Sequence, residues 1–106
     1  MKILDEQLAA VRRDWYAIQS IENPAQEVQL AAVQQYGYAI SYIKDPSSGV
    51  QFAAVRQNGY SIEFIKNPSI EVQLAAVQQN GLAIDHIENP CKEVLDYLKT
   101  LEVVNS

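Results

Sequence analysis

Four prolines divide this sequence into segments of equal length, and that spacing limits what the chain can fold into. They lie 22 residues apart, and particular valines and isoleucines keep the same spacing. The repeated positions are Pro24, Pro46, Pro68 and Pro90; Val28, Val50, Val72 and Val94; and Ile21, Ile43, Ile65 and Ile87. A fixed period of about 20 to 50 residues is typical of repeat proteins, whose units cover their apolar faces by packing on neighbouring units. The sequence therefore predicts a stack of repeats.

The residues between the prolines favour helices over strands. Residues 74–79 are Leu-Ala-Ala-Val-Gln-Gln, mostly good helix formers, where a leucine-rich repeat would need a Leu-x-Leu strand. One long helix is excluded because each proline would break it. We therefore predict an all-α fold, in which short two-helix repeats stack as a small α-solenoid. The predicted units are residues 7–28, 29–50, 51–72 and 73–94, with a C-terminal capping helix at about 92–103.

The residues around proline and glycine predict where each helix begins and ends. An Asn or Asp precedes every proline, which suits an N-cap followed by proline at the first helical position. The glycines at positions 37, 59 and 81 follow the first helix, where we expect them to adopt a left-handed C-terminal cap. A shorter second helix, such as residues 60–66, then ends before the next proline. We expect residues 1–6 to be a lead-in and residues 103–106 to fray.

The first unit departs from this pattern because Trp15 occupies the glycine position. A bulky side chain resists the left-handed conformation, so we expect the first helix to continue past Asp14. Terminal repeats are commonly atypical, which favours a capping unit whose tryptophan covers the open end of the core. The alternative is that Trp15 is an aromatic anchor for a partner.

The motif Ala-Val-x-x-Asn-Gly-x-Ala-Ile recurs with small changes at residues 32–40, 54–62 and 76–84, and without its glycine at 10–18. In this motif the chain resembles the helical repeats of domain of unknown function 4116. The resemblance implies a helical-repeat fold and a source in bacteria, their phages or large viruses. That family has no known activity, so the resemblance assigns no functional residue.

Catalytic and metal-binding residues are sparse. The only histidine and cysteine are His86 and Cys91, which could serve as base and nucleophile, but no oxyanion hole or phosphate-binding loop accompanies them. Asp85, His86 and Glu88 lack a recognised metal-ligand spacing. We therefore expect no catalytic residue, metal or cofactor, and an enzyme using His86 and Cys91 is the weakest hypothesis. A lone cysteine also excludes an internal disulfide.

Charge and hydropathy narrow the possible partners. Eight basic residues against thirteen acidic ones give a net charge of −5, so direct binding to nucleic acid is not expected. An acidic chain could instead mimic nucleic acid, and a phage- or mobile-element-encoded inhibitor of a host enzyme is an alternative function. We expect no signal peptide, and no apolar run in the sequence reaches membrane-spanning length. We expect a cytoplasmic protein that does not bind membranes.

Repeat proteins bind through one extended face, with specificity set where the units differ. Three rows of equivalent positions are candidates: Ser20, Tyr42, Phe64 and His86; Tyr16, Tyr38, Tyr60 and Leu82; and Gln7, Gln29, Gln51 and Gln73. Tyr42 and Phe64 precede a core isoleucine by one residue, so they should lie at the border of the core, partly exposed. The regular tyrosine row is expected to be structural. The glutamines either face solvent or hydrogen-bond a partner's main chain.

These patterns predict a non-enzymatic module that presents an aromatic and polar face to another protein. The expected contact residues are Tyr42, Phe64, His86, Gln29, Gln51, Gln73 and Trp15. Self-association is a further expectation, because stacked repeats can join end to end where the capping is weak.

Overall fold

Helices of two kinds alternate along the part of the chain that the structure describes, and that part contains no strand. The structure, a computed structural model, describes the backbone of residues 2–105 and the side chains of residues 3–101. The α-helices are α1 (Lys2–Arg13), α2 (Gln26–Gln35), α3 (Ser48–Gln57), α4 (Ile70–Gln79) and α5 (Lys92–Asn105). The 3₁₀ helices between them are η1 (Trp15–Ser20), η2 (Gly37–Tyr42), η3 (Gly59–Phe64) and η4 (Gly81–His86). The predicted all-α stack of two-helix units is confirmed, although the second helix of each unit is a 3₁₀ helix of six residues.

The α-helices and the 3₁₀ helices form two layers with the core between them. Each α-helix packs against the next α-helix, and each 3₁₀ helix packs against the next 3₁₀ helix. The result is an elongated molecule of 54 × 23 × 18 Å. The largest fully buried side chains recur with the period: Ile18, Ile40 and Ile62 in the 3₁₀ helices; Val11, Val33, Val55 and Val77 near the ends of the α-helices; and Val28, Val50, Val72 and Val94 near their starts. Each unit thus buries its apolar face against its neighbours.

The residues before three of the prolines form left-handed turns, so the prediction that they cap the following helix is wrong. Asn23, Asp45 and Asn67 have φ values of 52°, 51° and 48°. Asn and Asp tolerate this conformation better than other non-glycine residues, and it turns the chain between a 3₁₀ helix and the next α-helix. The cap is instead the residue after the proline. The Ser69 hydroxyl accepts from the Val72 N–H at 3.2 Å, and Ser47 caps α3 in the same way.

The glycine positions also differ from the prediction, because no glycine in the described residues has a positive φ. Gly59 begins η3, and the Asn58 side chain caps this helix by accepting from the Tyr60 N–H at 3.0 Å. Glycine is required at this position because there is no room for a side chain. A Cβ at Gly59 would lie 2.5 Å from the carbonyl oxygen of Ala76 in the next unit. The Gly59 N–H donates to Gln79 Oε1 at 2.7 Å, so glycine allows main chains of successive units to approach closely.

The first junction has the same geometry as the others, so the expected continuation of the first helix is also wrong. Helix α1 ends at Arg13, and the Asp14 carboxylate caps η1 by accepting from the Tyr16 N–H at 3.1 Å. Trp15 can stand at the glycine position because this position does not require a left-handed conformation, provided that the second unit leaves room for the side chain. Gln35, the equivalent of Gln79, turns away and donates to the Val11 carbonyl at 2.7 Å.

The two ends of the chain are more helical than expected. Helix α1 begins at Lys2, so residues 2–6 belong to a helix and are not a lead-in. The C-terminal capping helix extends to Asn105, and Ser106 lies outside the described residues. None of the helices in the described part is both long and apolar enough to span a membrane.

One buried hydroxyl leads to a prediction about stability. Ser61 is fully buried, and its Oγ has no hydrogen-bond partner among the described residues. The equivalent positions hold alanine, at residues 17, 39 and 83. An unpaired buried polar group costs about 1–3 kcal/mol, so we expect Ser61→Ala to raise the free energy of unfolding by about 1 kcal/mol. Urea denaturation measures this change. Ser41→Ala, at an exposed position of η2, is the control with an expected change near zero; a loss of stability in Ser61→Ala would show that the hydroxyl is hydrogen-bonded.

Candidate functional site

Aromatic side chains from the 3₁₀ layer form a row along one side of the stack, here called the aromatic ladder. Its members are Trp15, Tyr16, Tyr36, Tyr38, Tyr42, Tyr60, Phe64 and His86. The second residue of each 3₁₀ helix contacts the last residue of the next 3₁₀ helix. The ring centroids are 5.5 Å apart for Tyr16–Tyr42, 5.4 Å for Tyr38–Phe64 and 4.7 Å for Tyr60–His86. Two rows that the sequence suggested separately are therefore one surface.

The exposure of the ladder matches the prediction for Tyr42 and Phe64. These side chains are 44% and 42% exposed, whereas Ile62 beside them is 2% exposed, which confirms a position at the border of the core. Tyr16 is 43% exposed and packs on Tyr42 of the next unit, which agrees with the packing expected of the tyrosine row. Side-chain hydrogen bonding with Tyr16 is the main effect that raises the pKa of the Tyr42 hydroxyl above its ordinary value. The Tyr42 hydroxyl is therefore uncharged at neutral pH.

Trp15 lies at the joint between the first two units and not over the open end of the core. Its ring is half-buried, with centroids 4.6 Å from Tyr36 and 6.3 Å from Tyr42. Tyr36 replaces the asparagine that caps the later 3₁₀ helices and makes no side-chain cap. At this junction Tyr36 provides no side-chain cap and Trp15 does not allow the close backbone approach of the glycines, and the two rings pack on each other instead. Both side chains extend the ladder into the first unit.

A side-chain contact that the sequence analysis missed joins the last two 3₁₀ helices. His86 Nδ1 lies 2.7 Å from Glu63 Oε2, and both side chains are partly exposed. The Tyr60 ring packs against the imidazole, with ring centroids 4.7 Å apart. The spacing of 23 residues, one period plus one, was the only available signal. Glu63 therefore holds His86 in place at the C-terminal end of the ladder.

Two grooves adjoin the ladder at equivalent places in successive units. The N-terminal groove, of about 470 Å³, is lined by Lys44, Asp45, Phe64 and Lys66 among others. The C-terminal groove, of about 740 Å³, is lined by residues that include Phe64, Lys66, Asn67, His86 and Asn89. Phe64 and Lys66 line both grooves, so together these residues separate two successive compartments beside the ladder.

Several polar groups of the grooves have no intramolecular partner among the described residues. Among the described residues, the salt-bridge contacts join Glu63 to His86 and Lys92 to Asp96, so Lys44 and Lys66 have no such partner there. The exposed side-chain amides of Asn67 and Asn89 form no hydrogen bond with described atoms of the chain. These ammonium and amide groups are available to a ligand.

The glutamine row does not have the role that was suggested for it. The side-chain amides of Gln29, Gln51 and Gln73 donate to the carbonyls of Pro24, Pro46 and Pro68 at 2.9, 3.0 and 3.0 Å. Gln73 is only 6% exposed, and its Oε1 accepts from the Cys91 N–H at 2.9 Å. These glutamines hold the chain's own turns, so the prediction that they contact a partner is corrected. Their fixed position five residues after each proline was the signal for this role.

The two residues of the enzyme hypothesis are not joined in the described structure. Cys91 is half-buried at the start of α5, where its carbonyl accepts from the Val94 and Leu95 N–H groups. His86 is bonded to Glu63, and no hydrogen bond links it to Cys91 within residues 3–101. Across the same residues, no three His, Cys, Asp or Glu side chains are grouped so as to hold a metal ion. The ladder and grooves offer aromatic faces, amides and ammonium groups, which are suited to recognition.

Comparisons with protein-family models, with curated proteins and with solved structures found no match to this chain. The resemblance to domain of unknown function 4116 stays a prediction that rests on the repeated motif.

Proposed function

We propose that this chain is a non-enzymatic binding module whose aromatic ladder and adjoining grooves contact a partner protein. The observation that carries this proposal is the succession of aromatic pairs between neighbouring 3₁₀ helices, in which Tyr16, Tyr42 and Phe64 are 42–44% exposed. Exposed aromatic residues that are grouped in this way are typical anchors of protein interfaces. Each ring already packs on a ring of the neighbouring unit, so little side-chain entropy is lost when a partner binds.

The proposal is tested by removing two ladder side chains together. A partner captured from extract with the wild-type chain is purified, and its affinity is measured by isothermal titration calorimetry. We expect Tyr42→Ala with Phe64→Ala to weaken binding by at least about 2 kcal/mol, or about 30-fold. Ile70→Ala is the matched control, because Ile70 is 42% exposed but lies outside the ladder. Full binding by the ladder variant, or equal loss in the control, contradicts the proposal.

The same variants must be compared for stability, because a binding loss is informative only in a folded chain. Ile62→Ala removes a buried side chain and should cost about 2–5 kcal/mol of unfolding free energy. The double ladder variant should cost much less, since its side chains are partly exposed. If the double variant unfolds as easily as Ile62→Ala, then Tyr42 and Phe64 act as core residues and the contact face lies elsewhere.

A further inference from the structure

We propose that the ladder and grooves bind an extended, proline-rich peptide segment that carries acidic side chains, with three residues of the peptide for each repeat of this chain. This inference rests on the proposed function and specifies the chemistry of the partner. It follows from the spacing of the units, the aromatic surface, the free amides and the unpaired lysines.

The spacing of the binding positions favours an extended peptide. Neighbouring helices pack about 10 Å apart, so equivalent positions of successive units recur at about that distance. A polyproline II helix advances about 9 Å in three residues, whereas an α-helix advances about 5 Å per turn. Every third residue of a polyproline II segment laid along the stack would therefore meet the same position of the next unit. The ladder offers three such pairs in succession, from Tyr16–Tyr42 to Tyr60–His86.

The side chains beside the grooves suit the surface of such a segment. Proline rings pack on exposed aromatic faces, which is how other proteins recognise proline-rich peptides. Phe64 stands between the two grooves and is 42% exposed, so it can contact a proline on either side. A polyproline II segment has no internal hydrogen bonds, so its carbonyls are free to accept. The side-chain amides of Asn67 and Asn89, one repeat apart in the C-terminal groove, can donate to them.

The charge of the N-terminal groove specifies an acidic residue in the peptide. Lys44 and Lys66 line this groove with one carboxylate, that of Asp45. Neither lysine forms an ion pair with a described residue, although the chain as a whole has a net charge of −5. Two unpaired ammonium groups beside one groove favour a carboxylate of the ligand between them. In the C-terminal groove Glu63 already pairs with His86, and Glu88 lines the wall, so the local charge there does not favour a second acid.

The test uses synthetic peptides and fluorescence anisotropy at moderate salt. The probe is a labelled peptide of four Pro-Pro-Glu triplets, which spans about 37 Å when extended. Its control is the same peptide with lysine in place of glutamate. We expect saturable binding of the acidic peptide and at least about tenfold weaker binding of the basic one, because the contacts with Lys44 and Lys66 change sign. The charge-reversed chain, with Lys44→Glu and Lys66→Glu, should show the opposite preference.

Two further variants separate this binding from a general attraction between charges. Phe64→Ala should weaken the binding of the acidic peptide. Lys92→Glu, which reverses the charge of a lysine outside the grooves, should not weaken it. A third peptide, with the same composition but with all glutamates together at one end, should bind more weakly than the periodic one. Absence of saturable binding, equal affinity for the acidic and basic peptides, or no effect of Phe64→Ala would overturn the inference.

The outcomes distinguish this inference from the proposed function. If the chain captures a partner through Tyr42 and Phe64, but the acidic peptide neither binds nor competes with that partner, the peptide class is wrong and the binding module stands. If the ladder variant keeps the partner at full affinity, the proposed function itself is wrong. If the peptide competes with the partner and both depend on Phe64, the two proposals hold together.

Discussion

Gly59→Ala is expected to lower the free energy of unfolding by about 3 kcal/mol, which is at the upper end for overpacking at a close contact. The added methyl group would lie 2.5 Å from the Ala76 carbonyl oxygen and 3.0 Å from Gln79 Oε1. The carbonyl belongs to the backbone of α4 and cannot rotate away. Separating the two units to make room would also lengthen the hydrogen bond from the Gly59 N–H to Gln79 Oε1, now 2.7 Å. The change can be measured by urea denaturation.

Gly81 provides the matched control for this prediction. Among the residues whose side chains are described, a methyl group there would meet only Leu98 Cδ2, at 3.9 Å, an ordinary van der Waals distance. No glutamine accepts from its N–H, because Leu101 occupies the position equivalent to Gln79. Since Gly81 does not have a positive φ, Gly81→Ala should change stability by less than about 1 kcal/mol, and a small gain is expected. Equal losses at Gly59 and Gly81 would mean that both glycines serve the turn and not the contact between units.

The repeat and its helical character could be predicted from sequence because they depend on spacing and composition alone. A period of 22 residues with proline in every unit excludes one long helix, and the residues between the prolines favour helices. The border position of Tyr42 and Phe64 followed from the geometry of a helix one residue before a buried isoleucine. These inferences use contacts within one unit, which the sequence specifies locally.

The turns could not be assigned because local preference allowed two answers. Asn before proline suits an N-cap, and Asn also tolerates a left-handed turn. The choice depends on the direction in which the next α-helix must lie on the stack, which is a property of the packed units. The role of the glycines could not be assigned for a similar reason, since Gly59 is required by its contact with the Ala76 carbonyl in the following unit. A contact 17 residues away cannot be recognised from the residues around the glycine.

The dependence on packing between units also explains why several features of the candidate site could not be predicted from the sequence. Gln73 resembles a solvent-facing helix residue in sequence, yet it bonds to Pro68 of the preceding unit and to Cys91 of its own. The Glu63–His86 pair and the two grooves arise only when successive 3₁₀ helices are placed side by side. The rows of aromatic residues are visible in the sequence, but the pairing between rows depends on how successive units pack.

The two ends of the stack carry charges where the inner units carry buried valines. Glu6 is exposed at the position equivalent to Val28, Val50, Val72 and Val94, all of which are fully buried. Lys99 is exposed at the position equivalent to Val11, Val33, Val55 and Val77, which are at most 2% exposed. In an end-to-end stack of two chains, α1 of one copy would pack on α5 of the other and cover these positions. The charges therefore oppose the self-association that the repeat pattern suggests.

Replacing both charges is expected to produce end-to-end association. A charge removed from water costs several kcal/mol, and a Glu6–Lys99 pair across the junction would at best offset this cost. A buried valine instead contributes about 1.5–3 kcal/mol. The chain with Glu6→Val and Lys99→Val should therefore associate, with a weight-average mass in sedimentation equilibrium that rises with protein concentration.

The single variants decide whether the charges are the cause. Glu6→Val alone would leave Lys99 buried without a partner at the junction, and Lys99→Val alone would leave Glu6 in the same state. An uncompensated buried charge is more costly than a buried pair, so neither single variant should associate more than the parent chain. Association of either single variant to the same extent would point to non-specific contact through the new apolar side chain. A double variant that sediments like the parent would show that these two charges are not what prevents association.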